Sequence, residues 1–185
     1  MIANRFEPLK GDHSKGTIRA RDVSTAQTVV LHQVRDLDER LVGIFHPGLL
    51  TVFAIVEHED RKWAACEFVP ARTLFEVLAG ARCHPRWARE IIGDVANAVA
   101  ELHARSLGHG DVSASSILIT LKGKAKLSLT TAKTATDPDV DIRALISLLE
   151  EMSGPTESSI GETNSAAVLS ATLRTPVKNL REEPS

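Results

Sequence analysis

Residues Leu107 to Ile119 read L-G-H-G-D-V-S-A-S-S-I-L-I, and the fold turns on them. A polar loop carrying His109, Gly110 and Asp111 lies between a long stretch of helical period and the apolar run Ile117, Leu118, Ile119. A carboxylate on a loop between two rigid elements is well placed for catalysis or ligand binding. Before the loop, Ala88, Ile91, Ile92, Val95, Val99 and Leu102 recur at helical spacing, and Pro85 suits a first turn. They predict a helix from about Pro85 to Arg105, ended by Gly108. After the loop, Ile117–Thr120 and Ala125–Leu129 flank L-K-G-K as a hairpin. A helix over Val140–Met152 then reads as apolar around most of its circumference, the pattern of a helix meant for burial.

The N-terminal part has a different period. Alternating, β-branched segments over residues 5–35, then Leu49–Val56 and Lys62–Phe68 on either side of the charged turn H-E-D-R, predict about five short antiparallel strands. Thr73 with Glu76 three residues on is a capping box for a short helix through Leu78. Residues 156–165 read as a polar, mobile linker, with a short helix at Ala166–Leu173. Strands first and helices second is an α+β order.

Composition narrows the function. With 43% apolar and 25% charged residues the chain has a globular protein's balance. A net charge of −2 with dispersed basic residues argues against nucleic-acid binding. Two cysteines, Cys66 and Cys83, make neither a disulfide framework nor a zinc site, and no apolar run reaches membrane-spanning length. The expectation is a cytoplasmic protein. His103, His109 and Asp111 lack any metal-ligand spacing, so no metal is expected.

Six fragments in order resemble the bacterial Hanks-type serine/threonine protein kinases over about residues 5–154. They are R-F-E-P-L from Arg5, A-R-D from Ala20, H-P-G-L-L from His46, C-E-F-V-P-A-R-T-L from Cys66, L-H-A-R-S-L-G-H-G-D from Leu102 and D-I-R-A-L from Asp141. The resemblance implies a protein-kinase-like fold: a β N-lobe over 5–69, a shortened helical C-lobe over 70–154, and a linker and tail over 155–185.

It also implies a degenerate site, because phosphoryl transfer depends on positioned cations and metal ligands. Of the glycine-rich loop Gly11 and Gly16 remain, with Asp12 between them set to repel phosphate. His32 stands at the third-strand Lys, Val30 at the small residue over the adenine, and the helix bearing the Lys partner is cut to about Asp36–Leu41. Cys66 controls pocket depth, Glu67 and Val69 form the hinge, and Leu118 lies on the floor. In the catalytic loop Asp111 holds the base position, Ser113 the Lys and Ser116 the Asn, while Leu129 replaces the metal-binding Asp. Asp111 and Asp141 match a pair that braces this loop in the family, which makes a structural part the expected one for Asp111.

The expectation is therefore a pseudokinase with no catalytic residue, cofactor or metal and little or no ATP binding. It would act through a protein partner or as a homodimer, docked on an incompletely covered third helix. The alternative is an atypical phosphotransferase using Asp111 as base, since H-G-D also occurs in kinases resembling aminoglycoside phosphotransferases.

Overall fold

The computed structural model describes residues 1–14, 16–134, 137–156 and 158–175. Strands β1 (Phe6–Ser14), β2 (Thr17–Asp22), β3 (Thr28–Val34), β4 (Val52–His58) and β5 (Arg61–Glu67) form one antiparallel sheet in the order β1-β2-β3-β5-β4. The β4–β5 hairpin turns on Glu59 and Asp60, both at positive φ (49° and 58°), the pairing that matches the right-handed twist of the strands.

Register gives the sheet two faces. On the outer one, Ala20, Val29, Leu31, Trp63 and Ala65 are sealed by Ile2 and Phe6. The inner one carries the row Arg19, Val30, Cys66 and Val52 across β2, β3, β5 and β4. Between β3 and β4 stands a single 3₁₀ turn, Glu39–Leu41, whose neighbours Leu37 and Ile44 join Leu41 in the core. The shortened partner helix expected there is this turn.

A second sheet, β6 (Ala71–Thr73), β7 (Ile117–Thr120) and β8 (Ala125–Leu127), lies under the first, and β6 runs straight into α1 (Leu74–Leu78). The Thr73–Glu76 capping box forms as expected. Helix α2 (Pro85–His103) buries Ala88, Ile91, Ile92, Val95, Val99 and Leu102, the face its period predicts. It ends slightly early, and Ser106 at φ 56°, rather than Gly108, supplies the left-handed residue after it.

Helix α3 (Pro138–Ser153) departs from expectation. It is amphipathic: Ile142, Leu145, Leu148, Leu149 and Met152 are buried, while Arg143, Ser147, Glu150 and Glu151 face water. Of its apolar residues only Val140 is exposed, while Ala144 and Ile146 are half-buried against the core, so α3 is not apolar all round. The linker is also more ordered than its composition suggests, since α4 (Ser158–Gly161) buries Ile160 in the main core. Helix α5 (Ala166–Arg174) packs chiefly on α2, at Gly93, where an added Cβ would lie 3.5 Å from the Cβ of Leu173. Ser170 Oγ donates to Gly93 O at 2.9 Å and Arg89 to Thr172 O at 3.0 Å across this seam. Among the described residues no helix is long and apolar enough to cross a membrane.

Candidate functional site: catalytic loop and nucleotide cleft

The loop after α2 is held from below. Asp141, in the first turn of α3 and fully buried, accepts the N–H of His109 at 2.8 Å and that of Gly110 at 2.6 Å. The same carboxylate meets His103 Nε2 at 2.9 Å. The buried His109 ring donates from Nε2 to Ser128 O at 2.7 Å, which leaves Nδ1 to accept the Asp111 N–H at 3.2 Å. Burial holds this imidazole below its ordinary pKa, so it is neutral. Ser116 closes the loop: its Oγ accepts the Ser113 N–H at 2.9 Å and donates to the carbonyls of Ser113 (3.0 Å) and Asp111 (3.1 Å).

The Asp111 side chain takes no part in this network. It is exposed and makes no hydrogen bond or ion pair among the described residues. The structural part expected of it belongs to Asp141 and the Ser116 hydroxyl.

Above the loop lies the cleft under the inner sheet face. Gly16, at φ 84°, turns the β1–β2 hairpin; Gly11 falls within β1, and the Asp12 side chain lies outside the described residues. Val30 and His32 share the inner face, and burial lowers the His32 pKa, so the ring expected at the lysine position carries no charge at neutral pH. Cys66 is fully buried, and burial, with Glu67 beside it, pushes its thiol up to about 12. Glu67 turns inward at the hinge, accepting the Thr51 N–H at 3.0 Å and Lys126 Nζ at 2.7 Å; Lys126 also donates to Leu49 O at 3.0 Å. Val69 and Leu118 are half-buried against the main core, and Leu129 is fully enclosed in it.

One residue absent from the sequence expectation decides the cleft's character. Arg19 lies on the inner face beside Val30 and stacks its guanidinium over the Phe68 ring at 4.2 Å, bridging the sheet and the hinge. Its Nε is buried without a hydrogen-bond partner among the described residues. Its neighbour Ile18 packs on the outer face. The signal was the alternation of β2 itself, in which Ala20 is the fully buried outer residue.

These residues do not fit a magnesium–nucleotide complex. Its metal would meet a sealed leucine at 129 and a serine hydroxyl already committed to loop carbonyls at 116, with a neutral imidazole at 32.

No family model matches the chain. Curated relatives do: it is 29% identical over 84 residues to the serine/threonine-protein kinase PrkC of Bacillus subtilis, covering 45% of this chain and 13% of that protein. It is 33% identical over 130 residues to calmodulin-binding receptor-like cytoplasmic kinase 1 of Arabidopsis thaliana, covering 65% of this chain and 27% of that protein. The chain is thus kinase-like, similar in part of its sequence to serine/threonine kinases of which it spans less than a third. Among solved structures the Mycobacterium tuberculosis PknI kinase domain, a C20A_R136A double mutant, superposes with a TM-score of 0.76 at 15% identity, over 94% of this chain and 95% of that one. That likeness is one of fold.

Proposed function

We propose that this kinase-like chain is a catalytically inactive module that works by binding another protein in a reducing cytoplasm. Its nucleotide cleft is closed by its own side chain. The supporting observation is the Arg19–Phe68 stack beneath the sheet, at the level of Val30 and Cys66, where a planar base would have to enter. A base entering there would have to break the cation–π contact and move the Arg19 side chain.

A second function is favoured by one observation: the exposed, unpartnered carboxylate of Asp111, which is free to accept a proton from a hydroxyl. That would make the chain an atypical phosphotransferase. Thermal unfolding of the full chain with ATP, with and without magnesium, separates the two. An inactive module shows no shift and forms no phosphorylated product. A magnesium-dependent shift of the size mass action predicts, about 2.7 kcal/mol at a hundredfold excess over Kd, together with turnover lost in Asp111→Asn, would overturn the proposal.

A further inference from the structure

A second hollow, sharing no residue with the cleft, lies where the His46–Gly48 loop, α2, the β7–β8 turn and the end of α5 meet. Its volume is about 320 Å³, and it is lined by His46, Gly48, Asp94, Asn97, Lys124 and Arg174 among others. We propose that this hollow is a binding site for a phosphoryl group.

The donors come first. His46 Nδ1 accepts the Gly48 N–H at 3.1 Å, a backbone donor that cannot be reversed, so the ring proton sits on Nε2. The Asn97 amide lies 3.1 Å from Nε2 and must turn its oxygen to that proton. Its NH₂ is then left as a donor in the hollow. Lys124 adds an ammonium that makes no side-chain bond among the described residues, and Arg174 adds a guanidinium.

The acids come second. Asp94 is paired with Arg174 at 3.2 Å, and Glu101, on the next turns of α2, with Arg105 at 2.6 Å. Lining charges are Lys124 and Arg174 against Asp94, a surplus of one; Lys122, exposed and unpaired on the same turn, brings it to two. A phosphomonoester carries close to two negative charges at neutral pH. His46 does not add to this, because burial keeps its pKa low and protonation would cost it the Gly48 bond. The exposed Phe45 and Leu121 at 72% and 88% flank these segments, apolar neighbours suited to a peptide carrying the phosphate.

The site depends on the binding-module proposal only for the source of the phosphoryl group. The test is an amide-resolved NMR titration of the full chain at fixed ionic strength with inorganic phosphate and with a phosphoserine peptide. Saturable shifts centred on Gly48, Asn97 and Lys124 are expected at millimolar phosphate or below. A peptide at least about ten-fold tighter than phosphate assigns a partner segment as the source; equal affinity assigns a free phosphoryl compound. Lys124→Glu should weaken binding about ten-fold or more. Asn97→Asp should do the same, because it keeps an oxygen toward His46 and replaces the NH₂ by a second anion. Lys62→Glu, an exposed β5 residue with the same change in net charge, should bind as wild type. No saturable shift at these amides, or equal losses in Lys62→Glu and Lys124→Glu, overturns the site. Neither result bears on the ATP titration, since the two sites share no residue.

Discussion

Asp141 and Asp111 lie on opposite sides of one loop, and their surroundings are opposites. Below the loop the Asp141 carboxylate is sealed from water and accepts from three donors. Above it Asp111 faces solvent, and across the cleft the Arg19 Nε is buried, each without a partner among the described residues. The lower half is a closed hydrogen-bond account; the upper half holds the leftovers. A buried carboxylate cannot lose one of its donors cheaply, whereas an exposed one changes surroundings at little cost. The loop therefore keeps its shape independently of whether the groups above it can carry out chemistry.

The contrast can be broken most directly at Asp141. Asp141→Ala leaves two loop N–H groups and His103 without their acceptor, and should cost about 3–5 kcal/mol in a denaturant titration. A loss under about 1 kcal/mol would mean the brace is not what shapes the loop.

Asp22 extends the test to the other end of the molecule. It is nearly sealed, pairs bidentately with Arg5 at 3.0 and 2.7 Å and accepts from Ser24 N and Oγ, which together hold its pKa well below the usual carboxylate range. With the folded pKa depressed, its contribution is present above the unfolded carboxylate value near 4 and is lost as pH falls toward the folded value. Asp22→Asn should therefore be less stable than wild type by about 1–3 kcal/mol at pH 7. The gap should shrink steadily from about pH 5 down to pH 2, as read from melts at each pH.

At Arg19 the expected change is smaller and runs the other way. Arg19→Val forfeits a cation–π contact worth about 0.5–1 kcal/mol and relieves an unpaired buried nitrogen, so stability should stay within about 1 kcal/mol of wild type. The variant should gain an ATP-dependent shift if Arg19 closes the cleft. Its absence would point to Val30 and Cys66 as the obstruction. Smallest of all, Asp111→Asn should move stability by no more than about 0.5 kcal/mol, set against the large loss at Asp141.

Much of this was legible in the sequence. The buried stripe of α2, the capping box at Thr73 and Glu76, and the hairpin around L-K-G-K each rest on a local rule and each formed, the second hairpin strand ending at Leu127 rather than Leu129. What escaped depended on parity and on distant partners. The β1–β2 pairing shifts register between Pro8 and His13, and a one-residue slip moves every side chain to the other face. The inward place of Arg19 beside Val30 was not among the expected cleft positions. The amphipathic character of α3 was misjudged because Arg143, Ser147, Glu150 and Glu151, which face water, were discounted. The Glu67–Lys126 pair joins residues far apart in the chain and carries no local signature.

The main core runs without interruption from Val34, Val52 and Cys66 on the sheet, through α2 and α3, to Leu173 near the end of α5. Sheet and helices thus share their apolar interior, and neither half can retain its packing when the other is cut away. Severing the chain at the hinge would yield two sticky fragments in place of two smaller proteins, and heat should melt the intact molecule in a single cooperative step.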